Sequence, residues 1–172
     1  MKRDVLKKLF LNIMFYGVMS LYALILFFLL FKKKSVGSFR TINLIPFRTI
    51  IDYLFNEDVI VRSFAFSNIM GNIAIFIPLG IYIPLLINKK SIFTNSAIVA
   101  LISLCVEIVQ YILAIGTADV DDIILNTIGG LLGILIFKLV YLIFKDKSKV
   151  VITFLTPIGG VIAVILLFLL NN

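Results

Sequence analysis

The stretch GTADVDDIILN, Gly116 to Asn126, sets a charged run between two long apolar segments of a chain that is otherwise almost all hydrocarbon. A carboxylate this close to lipid costs roughly 2.5 to 3.5 kcal/mol at a helix centre, and less near the helix ends. The surrounding protein must offset that cost, so what flanks the run decides the architecture.

Of the 172 residues, 62% are hydrophobic, and the mean hydropathy is +1.17. Several apolar runs exceed the length needed to cross a hydrocarbon layer of about 30 Å. The pattern predicts an all-α fold, a polytopic transmembrane helix bundle of about five spans: Leu9 to Phe31, Phe64 to Ile87, Ile92 to Ile115, Asp122 to Phe144 and Val150 to Leu170. Short connections make the last four antiparallel neighbours. Only the first connection, Lys32 to Ser63, is long. Within it RTIIDYLFN, Arg48 to Asn56, puts Ile50, Ile51, Leu54 and Phe55 on one helical face and Arg48 and Asp52 on another. This reads as a short helix lying in the membrane interface, entered by a turn at Pro46, with a solvated loop as the blander reading. One domain, 1–172, is expected, with a motif-bearing core at 40–144 and an extra carboxy-terminal transmembrane helix at 150–170.

Sixteen Lys and Arg against nine Asp and Glu give a net charge of +7, yet the basic residues flank the apolar runs, where they set topology. Nucleic acid is not needed to explain them. Lys2, Arg3, Lys7, Lys8, Lys89, Lys90, Lys145, Lys147 and Lys149 share one side of a five-span arrangement and place the amino terminus in the cytoplasm, although Lys32 to Lys34 pull the other way. The first run is too long for a cleaved signal peptide and reads as a retained helix. The chain has no histidine and one cysteine, Cys105, within an apolar run. No disulfide, cofactor or resident metal is implied.

Polar residues recur inside the spans at helical spacing. Asn68 and Asn72 share one face of the second span, and Pro78 should bend that helix. Interhelical glue is the plain reading of these two amides. In the third span Ser103, Glu107 and Gln110 form a stripe, and an ionisable residue so placed is a functional candidate by default. Its bland alternative is a buried ion pair with Arg48 or Arg62. In the fourth span Asp119, Asp122 and Asn126 share a face that continues through Gly130 and Gly133, while Gly129 and Gly133 carry a GxxxG spacing suited to close packing. One of the two aspartates is expected to serve only as a helix cap. The stripes occupy the start of span two, the end of span three and the start of span four, which lie at one membrane face in an up-and-down bundle. Their convergence predicts a shared pocket.

The succession NLIPF (Asn43 to Phe47), NIMGNIAIFIPLG (Asn68 to Gly80), ExxQ (Glu107 to Gln110) and DVDDIILNTIGG (Asp119 to Gly130) resembles the VanZ-like family of bacterial membrane proteins over about Leu44 to Leu142. The resemblance implies a multi-pass protein of the bacterial cell membrane, whose founding member lowers susceptibility to teicoplanin, through reduced access of lipid-anchored glycopeptides to the cell surface. It also implies that the polar signature falls on Asn43, Asn68, Asn72, Glu107, Gln110, Asp119, Asp122 and Asn126. Some relatives carry an arginine in the loop near Thr117 that this chain lacks, so a guanidinium there must come from Arg40, Arg48 or Arg62.

Three functions compete. The first is an outward pocket that engages a lipid headgroup, a lipid-linked wall precursor or the lipoglycopeptide, with Arg40, Arg48 and Arg62 meeting phosphates and the acids and amides meeting hydroxyl or amine groups. An intramembrane enzyme would instead use Glu107, Asp119 and Asp122 as its catalytic candidates, by divided acid and base duties or a hard cation. A proton or ion path is the third, disfavoured because the polar residues cluster in one leaflet.

Overall fold

The computed structural model describes residues 2–31, 42–87, 91–115 and 118–158. Their order is helix α1 (Lys2–Phe31), strand β1 (Ile42–Asn43), helices α2 (Arg48–Phe55), α3 (Val59–Leu86) and α4 (Ile92–Leu113), strand β2 (Ala118–Asp119), helix α5 (Val120–Phe144) and a 3-10 turn (Lys145–Lys147). Helical residues 148–158 follow. The fold is an all-α bundle, and four helical runs among the described residues are long and apolar enough to cross a membrane: Val5–Phe31, Val59–Leu86, Ile92–Leu113 and Val120–Ile158. The last run is broken at Lys145, whose φ of 48° and ψ of −120° interrupt the helix. Ile152 then joins Phe15, Tyr82 and Phe137 in one apolar cluster, so the chain has turned back on itself. The expected fifth span, Val150 to Leu170, begins there and passes outside the described residues after Ile158.

Helix boundaries follow the caps. Helix α3 begins at Val59 rather than Phe64, because the Asp58 side chain accepts from the amides of Ile60 and Val61 and satisfies donors that a helix start leaves open. Ala114, in the left-handed conformation at φ 53°, stops α4 at Leu113. Asp119 caps α5 and accepts from the Asp121 amide at 2.9 Å, so this is the aspartate that serves as the cap. Helix α2 forms where the spacing put it. The pair of two-residue strands was not foreseen: Ile42 pairs with Ala118 and Asn43 with Asp119, in parallel.

Among the described elements, helices α3 and α5 share the most extensive interface, and glycine makes their approach. A Cβ on Gly80 would lie 2.0 Å from the Gly130 carbonyl oxygen, and one on Gly133 would lie 2.0 Å from the Ile77 oxygen. The GxxxG pair Gly129 and Gly133 therefore rests directly on the backbone of α3, at Ile73 and Ile77, while Gly130 faces α4. Helix α4 packs on the other side of α5, with Val99 against Gly130, and Phe76, Ile83, Val99 and Ile134 form the central apolar cluster. The helix α1 touches the bundle more lightly, through Phe15 on Tyr82 and through Tyr22 Oη, which donates to the Ile75 carbonyl at 2.7 Å. Lys149 reaches back to α1, donating to Asn12 Oδ1 at 2.8 Å above the Phe15 ring.

The crossing yields a direct test. Gly80→Ala should destabilise the detergent-solubilised protein by about 1–3 kcal/mol in a thermal or denaturant unfolding assay, because backbone faces the added methyl. Gly71→Ala, where nothing lies within 4 Å of the added atom, should stay near wild type.

Candidate functional site

The polar residues of the three stripes meet at one end of the bundle, where α3 and α5 begin and α4 ends. Asp122, on the first turn of α5, faces α3. Its Oδ1 accepts from Asn68 Nδ2 at 3.1 Å and from Asn72 Nδ2, while Asn72 also donates to Asn68 Oδ1 at 3.2 Å. The four-residue spacing of the two amides makes this possible, since both point from one face of α3 at the same carboxylate.

Glu107, 4% exposed on α4, accepts the Asp119 amide at 2.9 Å through Oε2. Arg62, one of the two cations considered for it, turns its Nε to the Tyr53 carbonyl. A backbone donor is already at hand in the strand that precedes α5. Asp119 in turn receives Asn43 Nδ2, at 3.1 Å to Oδ1 and 3.2 Å to Oδ2, so the side chains repeat the pairing that the strands make through their backbones.

Two predicted residues lie beside this network. Gln110 Nε2 donates to the Leu30 carbonyl at 2.6 Å and ties the end of α4 to the end of α1. Asn126, 1% exposed, sits a turn deeper and donates to Ser103 Oγ at 2.9 Å. Its Oδ1 is buried without a partner among the described residues. Arg48 is exposed on α2, and Arg40 lies outside the described residues.

Sequence reasoning missed Asp121. At 2% exposed it is among the most buried charged groups, and both its oxygens serve α2: Oδ1 accepts the Phe47 amide, and Oδ2 accepts the Thr49 amide at 2.7 Å. A carboxylate thereby caps a helix distant in sequence, where free amides and the helix dipole both favour negative charge. Phe47 itself takes a left-handed φ of 66°, a conformation costly for a bulky residue and sustained here by the Asp121 contacts. The available signal was a third acid in the DVDD run, off the stripe and so without a role there. Asn95 was missed too. The buried face of α4 runs Asn95, Val99, Ser103, Glu107 and Gln110, so following the stripe back toward the helix start reaches it.

Chemically, the arrangement draws carboxylates from α4 and from the start of α5 onto amide donors of α3, β1 and the loop before α2. Among the described residues no three His, Cys, Asp or Glu side chains group in a way that could hold a metal ion. Above the cluster the loop and α2 present a broad apolar lip, with Leu44 76%, Phe55 76% and Leu54 57% exposed.

A model of the VanZ/LLP1 family matches residues 14–144. Protein VanZ of Enterococcus faecium is 32% identical over 130 residues, covering 72% of this chain and 73% of that protein. No solved structure matches.

Asp121→Asn should loosen α2 without unfolding the bundle. The loss of charge-assisted bonds to two amides is worth about 1–3 kcal/mol. Hydrogen exchange should quicken at Phe47 and Thr49 while the α3 and α5 amides around the Gly80 crossing keep wild-type protection.

Proposed function

The chain belongs to the VanZ/LLP1 family, and from that premise we propose that it lowers susceptibility to teicoplanin-type lipoglycopeptides by limiting their access or binding at the cell surface. Its long apolar helices make it a membrane protein. In the proposed orientation the amino terminus is cytoplasmic, so the polar cluster, the loop and α2 lie at the outer leaflet of the bacterial cell membrane.

One observation carries the reading. An exposed amphipathic helix is fastened, through Asp121, to a buried carboxylate and amide cluster at one end of the bundle. Such an element lies at the headgroup level, where a lipid-anchored drug must settle. The finer proposal is an outward-facing polar pocket. Asn43, Asn68, Asn72, Glu107, Gln110, Asp119, Asp122 and Asn126 form its wall, flanked by Arg48 and Arg40, and its ligand is a lipid headgroup, a lipid-linked wall precursor or the lipoglycopeptide. The hydrogen bonds among Asn43, Asp119 and Glu107 support it by holding the wall in one arrangement. Intramembrane catalysis by Glu107, Asp119 and Asp122 is less well supported, because these carboxylates accept from the chain's own N–H groups.

The test expresses wild type, Glu107→Gln or Asp122→Asn at matched membrane levels in a susceptible Gram-positive host. Teicoplanin susceptibility and binding of labelled drug to cells are then measured. Wild type should protect and reduce bound drug, and both substitutions should remove the protection. Correctly inserted wild type that gives no protection would refute the resistance function.

A further inference from the structure

A groove of about 370 Å³ lies between α2 and the first turns of α3, outside the carboxylate cluster, lined by Tyr53, Val59, Arg62, Ser63 and Phe66. We propose that it binds the phosphate of a phospholipid headgroup through the Arg62 guanidinium.

The Arg62 side chain is set in place before any ligand arrives. Its Nε donates to the Tyr53 carbonyl at 3.2 Å, which anchors the guanidinium at the end of α2. Among the described residues that is its one polar contact, and no carboxylate pairs with it. The nearest acid in sequence, Asp58, faces the α3 amides it caps. The two Nη groups therefore remain as parallel donors, the geometry that suits two oxygens of one phosphate. Ser63 adds a hydroxyl on the same rim.

What surrounds the groove selects a lipid over a soluble anion. Phe55 and Val59 are each 76% exposed and Phe64 is 72% exposed, so the approach runs through apolar side chains that acyl chains, not water, would cover. Tyr53 and Phe66, with ring centroids 5.6 Å apart, form an apolar back wall. An arginine at the start of a spanning helix places its charge at the headgroup level by extending its apolar stem along the hydrocarbon boundary. Phosphate is the anionic group found at that depth.

The inference deepens the envelope reading and rests on its outward placement of α2. Its test uses the full chain purified in detergent micelles and native mass spectrometry with three probes: dioleoyl phosphatidylglycerol, dioleoylglycerol and inorganic phosphate. Wild type should retain phosphatidylglycerol, dioleoylglycerol should be held much more weakly, and inorganic phosphate should not compete at equal concentration. Arg62→Gln should weaken phosphatidylglycerol binding about tenfold, and Arg62→Lys, which keeps the charge without the planar fork, by a smaller measurable factor. Lys147→Gln, in the exposed turn after α5, should bind as wild type. Equal phosphatidylglycerol binding by wild type and Arg62→Gln would overturn the proposal, as would equal retention of dioleoylglycerol. Competition by inorganic phosphate would overturn the lipid assignment in favour of a soluble anion. If Arg62→Gln does not fold, wild-type binding by Arg62→Lys would count against the guanidinium fork. Binding is read here without drug and drug protection without added lipid, so either result can fail while the other stands.

Discussion

Buried carboxylate charge at the edge of a hydrocarbon layer is the constraint from which the rest of this structure follows. Asp121, Asp122 and Glu107 are each less than 10% exposed, and without donors each would carry a large desolvation cost. The protein supplies those donors from distant parts of the chain: the amides of Phe47 and Thr49 at the start of α2, two asparagine side chains of α3 and the backbone of β2. Satisfying the acids therefore also closes the fold at that end, because every donor comes from an element that must be held there. The same bonds that stabilise the charge set the position of α2.

This arrangement depends on how closely α3 and α5 approach. Asn68 and Asn72 reach Asp122 because the Gly80–Gly130 crossing, deeper in the bundle, lets the two helices run backbone against backbone. A bulkier pair at the crossing would separate the helices and strain the bonds at their ends, since packed interiors transmit displacement. The apolar cluster around Phe15, Tyr82, Phe137 and Ile152 gathers toward the opposite end, where Lys149 donates to Asn12 above the Phe15 ring. Among the described residues, apolar packing dominates at that end and a hydrogen-bonded network at the other, which also carries the amphipathic helix α2.

Much of this was legible from the residues. Helical spacing placed Asn68 with Asn72 and Glu107 with Gln110 on their faces, and the amphipathic segment from Arg48 became α2, whereas Asp119, expected on one helical face with Asp122, is the extended residue that precedes α5. The GxxxG spacing correctly marked the close-packed face of α5. Asp121 escaped because its partners are backbone amides, and any residue except proline offers the same N–H. Sequence spacing identifies side chains that share a face, whereas a backbone donor has no residue-type signature. The strand pairing of Ile42 and Asn43 with Ala118 and Asp119 escaped for the same reason: two-residue strands carry no period to detect.

Composition and helical period were sufficient for membrane residence, the all-α class and the shared faces of Asn68 with Asn72 on α3 and of Ser103, Glu107 and Gln110 on α4, because these depend on local hydrophobicity and a fixed turn angle. Which acid met which donor was settled by three-dimensional packing. That packing made Asp119 a cap and joined it to Asn43, gave Asp122 to two asparagines, and made Asp121 the anchor of α2. Hydrogen bonds act over about 3 Å, and groups fifty or more residues apart come that close only once the helices have crossed.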